Sequence, residues 1–227
     1  MAAVRNTGRD DRMSALATTM LVLVGLLPAS FGQAVVSGFA PAAAVPVATA
    51  YTPMAVPVRV SNAAPPALSA TSYYALDVAT GQPLAASNAT RQQPIASITK
   101  LATALVILHD HQLNEVLTLP KLPTYQSDDE IIGLQAGERF TVHDLLAALL
   151  IQSADDSADA LALADSGTQA AFVAKMNRLM AQWGIGGAHF SNPSGLVDTG
   201  NTVSAQAVAQ IAQLALRNSA VRQLIDT

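Results

Sequence analysis

The 227-residue chain contains no cysteine. A disulfide framework, a thiol nucleophile and a thiolate metal site are therefore excluded. Charge is scarce too: 12% of residues are charged and the net charge is −4. No basic face is available for a nucleic acid, and none is expected as a partner. The chain has no glycine-rich phosphate loop and no Gly-x-Ser-x-Gly elbow, so nucleotide-cradle and elbow-serine chemistries are set aside. What it has in abundance is apolar residues, 51% of the total. That suffices for one domain with appendages.

The appendages lie at the N-terminus. Arg5, Arg9 and Arg12 precede an apolar stretch over residues 15–27, then Pro28 and small residues up to Ala34. This is the layout of a secretory signal, and the apolar stretch is short for a spanning helix. Residues 1–34 are expected to be a signal peptide cut after Ala34, with Ser30 as the rival site and an uncleaved anchor as the alternative. Residues 35–68 hold Pro41, Pro46, Pro53, Pro57, Pro65 and Pro66 and a single charge, Arg59. They read as a linker of polyproline character.

The centre of the chain is Pro94-Ile-Ala-Ser-Ile-Thr-Lys-Leu-Ala-Thr-Ala-Leu-Val-Ile-Leu. From Ile98 only Thr99, Lys100 and Thr103 are polar, which predicts a helix buried nearly all round. Ser97 and Lys100 are three apart and share a face at its start. A serine hydroxyl needs a base to become a nucleophile. A lysine in an apolar setting can be that base, because desolvation disfavours its charged form. The helix N-terminus offers backbone N–H groups to a developing oxyanion. The bland alternative makes Ser97 a helix cap and Lys100 a surface residue.

Around this helix the pattern predicts other elements. Residues 71–78 and 83–86, joined by Ala79-Thr-Gly-Gln, form a β-hairpin, and residues 117–119 a short strand. Residues 125–136 read as a loop, and its acidic run Asp128, Asp129, Glu130 as solvated surface. Thr141-Val-His-Asp144 opens a buried helix over 145–151 that delivers Ser153 at its end. A short helix follows over 156–164. Phe172, Val173, Met176, Leu179, Met180 and Trp183 mark a helical stripe within 167–183, stopped by Gly184. Asn192-Pro-Ser-Gly-Leu is a turn. Ser204 caps a last long helix with Val208, Ile211, Ala212 and Ala215 inward, and another begins at Ser219. His109-x-His111 lacks a third ligand at metal spacing and reads as a helix end.

Ala75-Leu-Asp-Val-Ala-Thr-Gly-Gln-Pro-Leu followed by Pro94-Ile-Ala-Ser-Ile-Thr-Lys-Leu resembles the low-molecular-mass penicillin-binding proteins. These are serine D-alanyl-D-alanine carboxypeptidases and endopeptidases of the cell wall. The resemblance continues through Gly133-Leu-Gln-Ala-Gly-Glu, Asp144-Leu-Leu, Ser153-Ala-Asp and Asn192-Pro-Ser-Gly-Leu, from about Ser69 onward. It implies an α+β fold of the serine β-lactamase and penicillin-binding class, with an antiparallel sheet and a helical region over residues 69–227. It implies an acyl-enzyme on Ser97, with Lys100 as base and Ser153 as proton relay. The partners implied are peptidoglycan peptides and β-lactams, in the periplasm or outside the cell, with peripheral membrane contact. No cofactor and no metal is implied.

Two departures stand out. The family's second motif is Ser-x-Asn, where this chain has Ser153-Ala154-Asp155. An amide both donates and accepts hydrogen bonds, whereas an ionised carboxylate only accepts. A negative charge beside Lys100 also favours its protonated form. Asp155 stands where the family's substrate-holding asparagine would; the alternatives are that the true partner is shifted, or that Asp155 is a cap for the next helix. The third motif, Lys-Thr-Gly, does not occur; after Lys100 the lysines are Lys121 and Lys175. The resemblance therefore implies that this motif and the last strands lie beyond Thr227, and the chain is expected to be a truncated gene product or a fragment. A class A β-lactamase reading fails for want of a glutamate after Ser153; the glutamates are Glu115, Glu130 and Glu138. An impaired, wall-binding remnant is the alternative function.

Overall fold

The computed structural model of the chain describes residues 57–58, 67–196 and 200–226. The expected signal over 1–34 lies outside the described residues, and so does nearly all of the expected linker.

Helix α1, Thr99–Asp110, is the axis of the domain. It holds no glycine or proline, and Thr99, Lys100 and the run Ala102 to Ile107 are all buried. A helix with so little polar surface is stable only inside others. Helices α2 (Val142–Ile151), α3 (Asp155–Ser166), α4 (Gln169–Gln182) and α5 (Ala205–Arg217) all pack on it, and α6 (Ser219–Ile225) joins α2 and α5. Phe172, Phe190, Ile107, Leu145, Leu146 and Leu149 are the largest side chains wholly removed from solvent. Each contributes about 1.5–3 kcal/mol by its burial.

The helix boundaries follow local chemistry. The Thr141 hydroxyl accepts the Asp144 N–H at 3.1 Å, Thr168 accepts from Ala171 at 3.1 Å, and Ser204 from Ala207 at 3.2 Å. Each such cap stabilises its helix by about 1 kcal/mol. Gly167 ends α3 in the left-handed conformation, φ +75°, so it closes one helix rather than opening the next. The inner face of α5 is turned slightly from expectation: Ala207, Ile211 and Ala215 are buried, and Val208 only partly.

The strands are short and all antiparallel. β1 (Tyr73–Leu76) pairs with β2 (Pro83–Ser87) as the expected hairpin. β3 (Gln92–Pro94), β7 (Thr202–Ser204) and β6 (Ala188–His189) form a three-stranded sheet in that order. β4 (Val116–Thr118) pairs with β5 (Arg139–Thr141). The architecture is thus α+β, with the antiparallel pairing spread over three small sheets. The hairpin turn is built by Asp77, whose carboxylate accepts the N–H and hydroxyl of Thr80 and is held below the usual carboxylate range by them. Gln213 of α5 donates to the Val78 carbonyl at 2.8 Å, fastening the hairpin to the helical body.

Candidate active site

Ser97 sits in a single 3-10 turn, Ala96–Ile98, fused to the start of α1. The bland alternative fails on both residues. The turn and α1 have no side-chain cap, so the Ser97 hydroxyl is free of that duty. Lys100 is 2% exposed and is not a surface residue. One helical turn separates them, and the Lys100 ammonium donates to the Ser97 hydroxyl at 3.0 Å. Ser97 itself is exposed. Its N–H bonds no other described residue, while the Ile98 N–H goes to the Ile95 carbonyl at 3.2 Å.

The second partner of Lys100 comes from α3. The Asp155 carboxylate lies 2.7 Å from the Lys100 ammonium, and both side chains are almost wholly buried. Asp155 is the first residue of α3, one position earlier than the sequence pattern placed the helix. Its backbone N–H donates to the Glu130 carbonyl at 2.6 Å, and its carboxylate accepts the Glu130 N–H at 3.2 Å. A buried ion pair needs such extra hydrogen bonds to offset its desolvation. Ser97, Lys100 and Asp155 thus form one connected line. Ser153 is two residues before Asp155, half-buried, between α2 and α3. It has φ +57°, a conformation that a residue with a Cβ adopts only when its surroundings enforce it. Its hydroxyl bonds none of the other three among the described residues.

Sequence reasoning missed the side chains that hold this line in place. Asp156 accepts the N–H groups of Ile132, Gly133 and Leu134 at 3.2, 2.8 and 3.0 Å, gathering the 130–134 loop against α3. The acidic stretch Asp128 to Glu130 therefore leads into a segment clasped by α3, although the Asp128 side chain is exposed as expected. Asp159, one turn on, accepts the Tyr125 hydroxyl at 2.8 Å and Gln169 at 2.6 Å. Burial pushes the Asp159 carboxyl above the usual range; the two hydrogen bonds oppose this, and the charges of Asp155 and Asp156 add to it. Burial, then the Asp159 charge, push the Tyr125 phenol upward as well. A signal was present: three acids at spacing one and three in the first turns of a helix have more charge than a cap needs.

The second missed set lies behind Ser97. The 192–196 turn, expected only as a turn, packs against the 3-10 turn. Gly195, φ +83°, approaches so closely that a Cβ there would sit 2.0 Å from the Ala96 carbonyl oxygen. Asn201, 1% exposed, joins the turn to Thr99. His109 and His111 lie away from this region. His109 pairs with Asp110, and His111 bridges Glu115 and Asp165.

A nucleophilic hydroxyl, a buried amine within hydrogen-bond reach and a free N–H beside the hydroxyl are the components of serine acyl transfer. The family model for D-alanyl-D-alanine carboxypeptidase matches residues 59–226. The chain is 31% identical over 159 residues to the D-alanyl-D-alanine carboxypeptidase DacD of Salmonella typhimurium, covering 66% of this chain and 41% of that protein. Among solved structures, it is similar to a D-alanyl-D-alanine carboxypeptidase from Mycobacterium tuberculosis, with a TM-score of 0.66 and 29% identity over 74% of this chain and 64% of that one. It is similar also to penicillin binding protein 6B from Escherichia coli, with a TM-score of 0.67 and 27% identity over 71% and 55% of the two chains. The chain spans about two fifths of the length of two of these curated relatives, 41% of the Salmonella protein and 39% of the DacF carboxypeptidase of Bacillus subtilis.

Proposed function

Because the chain belongs to the D-alanyl-D-alanine carboxypeptidase family, we propose that it forms an acyl-enzyme on Ser97 with peptidoglycan peptides ending in D-Ala-D-Ala, and with β-lactams. The observation that carries this reading is the 3.0 Å hydrogen bond between the Ser97 hydroxyl and the buried Lys100 amine. The Ser97 oxygen attacks the penultimate D-Ala carbonyl, and its proton passes to Lys100 in the amine form. The carbonyl oxygen takes up negative charge against the Ser97 N–H. The proton then returns through Ser153 to the departing D-Ala amine. Water attack on the ester frees Ser97 again. Metal and organic cofactors have no part in these steps. The N-terminal pattern supports export to the periplasm or beyond, with Ser30 to Val36 as the new N-terminus. Residues 35–68 then serve as a spacer, in reach of wall and membrane surface.

A second reading has its own observation. Asp155 holds Lys100 in an ion pair at 2.7 Å, and an ammonium has no lone pair with which to take a proton. On this reading it binds wall peptides without turning them over. Labelling with a fluorescent penicillin and mass spectrometry of the adduct separate the two. Slow label on Ser97, lost in Ser97→Ala, supports the acyl-enzyme; label on a different serine refutes the assignment; no label favours the binding remnant.

A further inference from the structure

Ala96 has φ +47°, an unfavourable conformation for a residue with a Cβ. Such a residue persists only where its neighbours over-determine it. Here they do so through the 192–196 turn and Asn201. Gly195 lies flat against the Ala96 carbonyl, with room for a hydrogen and none for a methyl group. The Asn192 carboxamide oxygen accepts the N–H of Gly195 at 2.6 Å and of Ser194 at 3.2 Å, which fixes the glycine. Asn201 then ties the turn to α1. Its oxygen accepts the Ser191 N–H, the Ser191 hydroxyl and the Asn192 N–H at 2.7, 2.9 and 3.1 Å. Three donors on one end identify that end as the oxygen. Its nitrogen donates to the Thr99 hydroxyl at 3.0 Å and the Asn192 carbonyl at 3.2 Å.

The residues gripped are Ala96 and Thr99, on either side of Ser97. Ser97 is left untouched, its hydroxyl free for Lys100. We propose that Asn201 and Gly195 are positioning residues for the nucleophile: they set the Ser97 turn through Thr99 and Ala96, and so the Ser97–Lys100 distance. The proposal rests on Ser97 being the nucleophile. Its physical basis is that a misplacement of about 1 Å costs a well-oriented reaction about 10²-fold.

The absence of cysteine supplies a test independent of any substrate. In the full chain, Ser97→Cys places the only thiol within reach of the Lys100 ammonium, which favours its thiolate. The pH midpoint of its alkylation by iodoacetamide then reports that distance. Thr99→Val keeps the shape and removes the acceptor for Asn201. Thr103→Val is the comparator; its hydroxyl donates to the Pro193 carbonyl at 2.6 Å, a bond to the same loop one helical turn further from Ser97. Thr99→Val should move the midpoint to higher pH and slow penicillin acylation of the unmodified Ser97 about threefold to tenfold, with unchanged drug binding. Thr103→Val should lower the melting temperature comparably and leave midpoint and rate within about twofold. Gly195→Ala should slow acylation about 10²-fold. If Gly195→Ala does not fold, Thr99→Val decides alone. Unchanged midpoint and rate in Thr99→Val, or equal shifts in Thr103→Val, overturn the proposal. If no version is acylated, the peptidase reading falls, and the thiol midpoint still decides the positioning role.

Discussion

Lys100 has two acceptors within reach, the Ser97 hydroxyl and the Asp155 carboxylate. The carboxylate is the stronger, because charge-assisted hydrogen bonds are about twice as strong as neutral ones. Changing it to an amide leaves a buried lysine with no counter-charge. An unpaired ion in an apolar site costs several kcal/mol, and the group escapes by giving up its proton. The amine so formed is the base that acylation needs. Asp155→Asn is therefore expected to raise the rate of Ser97 acylation by a chromogenic penicillin about threefold to tenfold, an effect of roughly 0.5–1.5 kcal/mol. It should also lower the melting temperature, since the ion pair is lost. Stopped-flow acylation and a thermal melt of both versions check this. Equal or slower acylation would mean that the carboxylate does not restrain Lys100.

At the scale of the element, α3 departs furthest from what its sequence suggests. It is a polar helix with most of its length buried, and Asp155, Asp156 and Asp159 all turn inward. Asp159 has no cation among its partners in the described residues. Its carboxyl is raised above the ordinary 3.8, so ionised Asp159 opposes folding at neutral pH. That penalty disappears as pH falls through the raised value towards 3.8, where the folded state holds the proton more tightly than the unfolded chain. Asp159→Asn keeps an oxygen for Gln169 and gives Tyr125 a donor in place of an acceptor. It is expected to stabilise the fold at pH 7 by on the order of 1 kcal/mol, with the gain gone near pH 4. Urea unfolding at both pH values tests it; a loss of stability at pH 7 would mean that the Tyr125 bond outweighs the buried charge.

The same element shows what a sequence can and cannot announce. α1 and α4 were legible because apolar spacing is a local fact, readable within one turn, and α2 and α5 because a hydroxyl cap adds to it. Ser97 and Lys100 were legible for the same reason, being three apart. The clasp of Asp156 on 132–134 and the reach of Asn201 to Thr99 join segments far apart in the chain, and no local period encodes such pairs. The inward turn of α3 was hidden because its acids look like a solvated face until their partners are known.

Across the whole molecule, one ion network joins three helices on the side away from Ser97. Lys175 of α4 reaches Asp110 at the end of α1, at 2.6 Å, and Asp165 near the end of α3. His111 meets the same Asp165 at 3.1 Å and Glu115 at 2.9 Å. Asp165 is 3% exposed, and these partners offset the cost of burying it. Burial works against the Lys175 ammonium, but the hydrogen bonds to Asp110 and Asp165 outweigh it and hold the group above the ordinary 10.5. A raised lysine contributes stability fully below 10.5 and loses it only as pH climbs through the higher folded value. Lys175→Met should therefore destabilise the domain across the neutral range. The expected cost is about 3 kcal/mol, the low end for removing one partner of a buried pair, because His111 still faces Asp165. For a domain of this size that is a fall of about 6–12 °C in melting temperature. The difference from the wild type should persist to pH 10 and shrink above it. Lys175→Met with Asp165→Leu should recover part of the loss, since the stranded carboxylate goes with its partner. Melts by circular dichroism at several pH values measure all three quantities. An unchanged melting temperature in the single variant would show that the helices are held by their apolar faces alone, with the network a bystander.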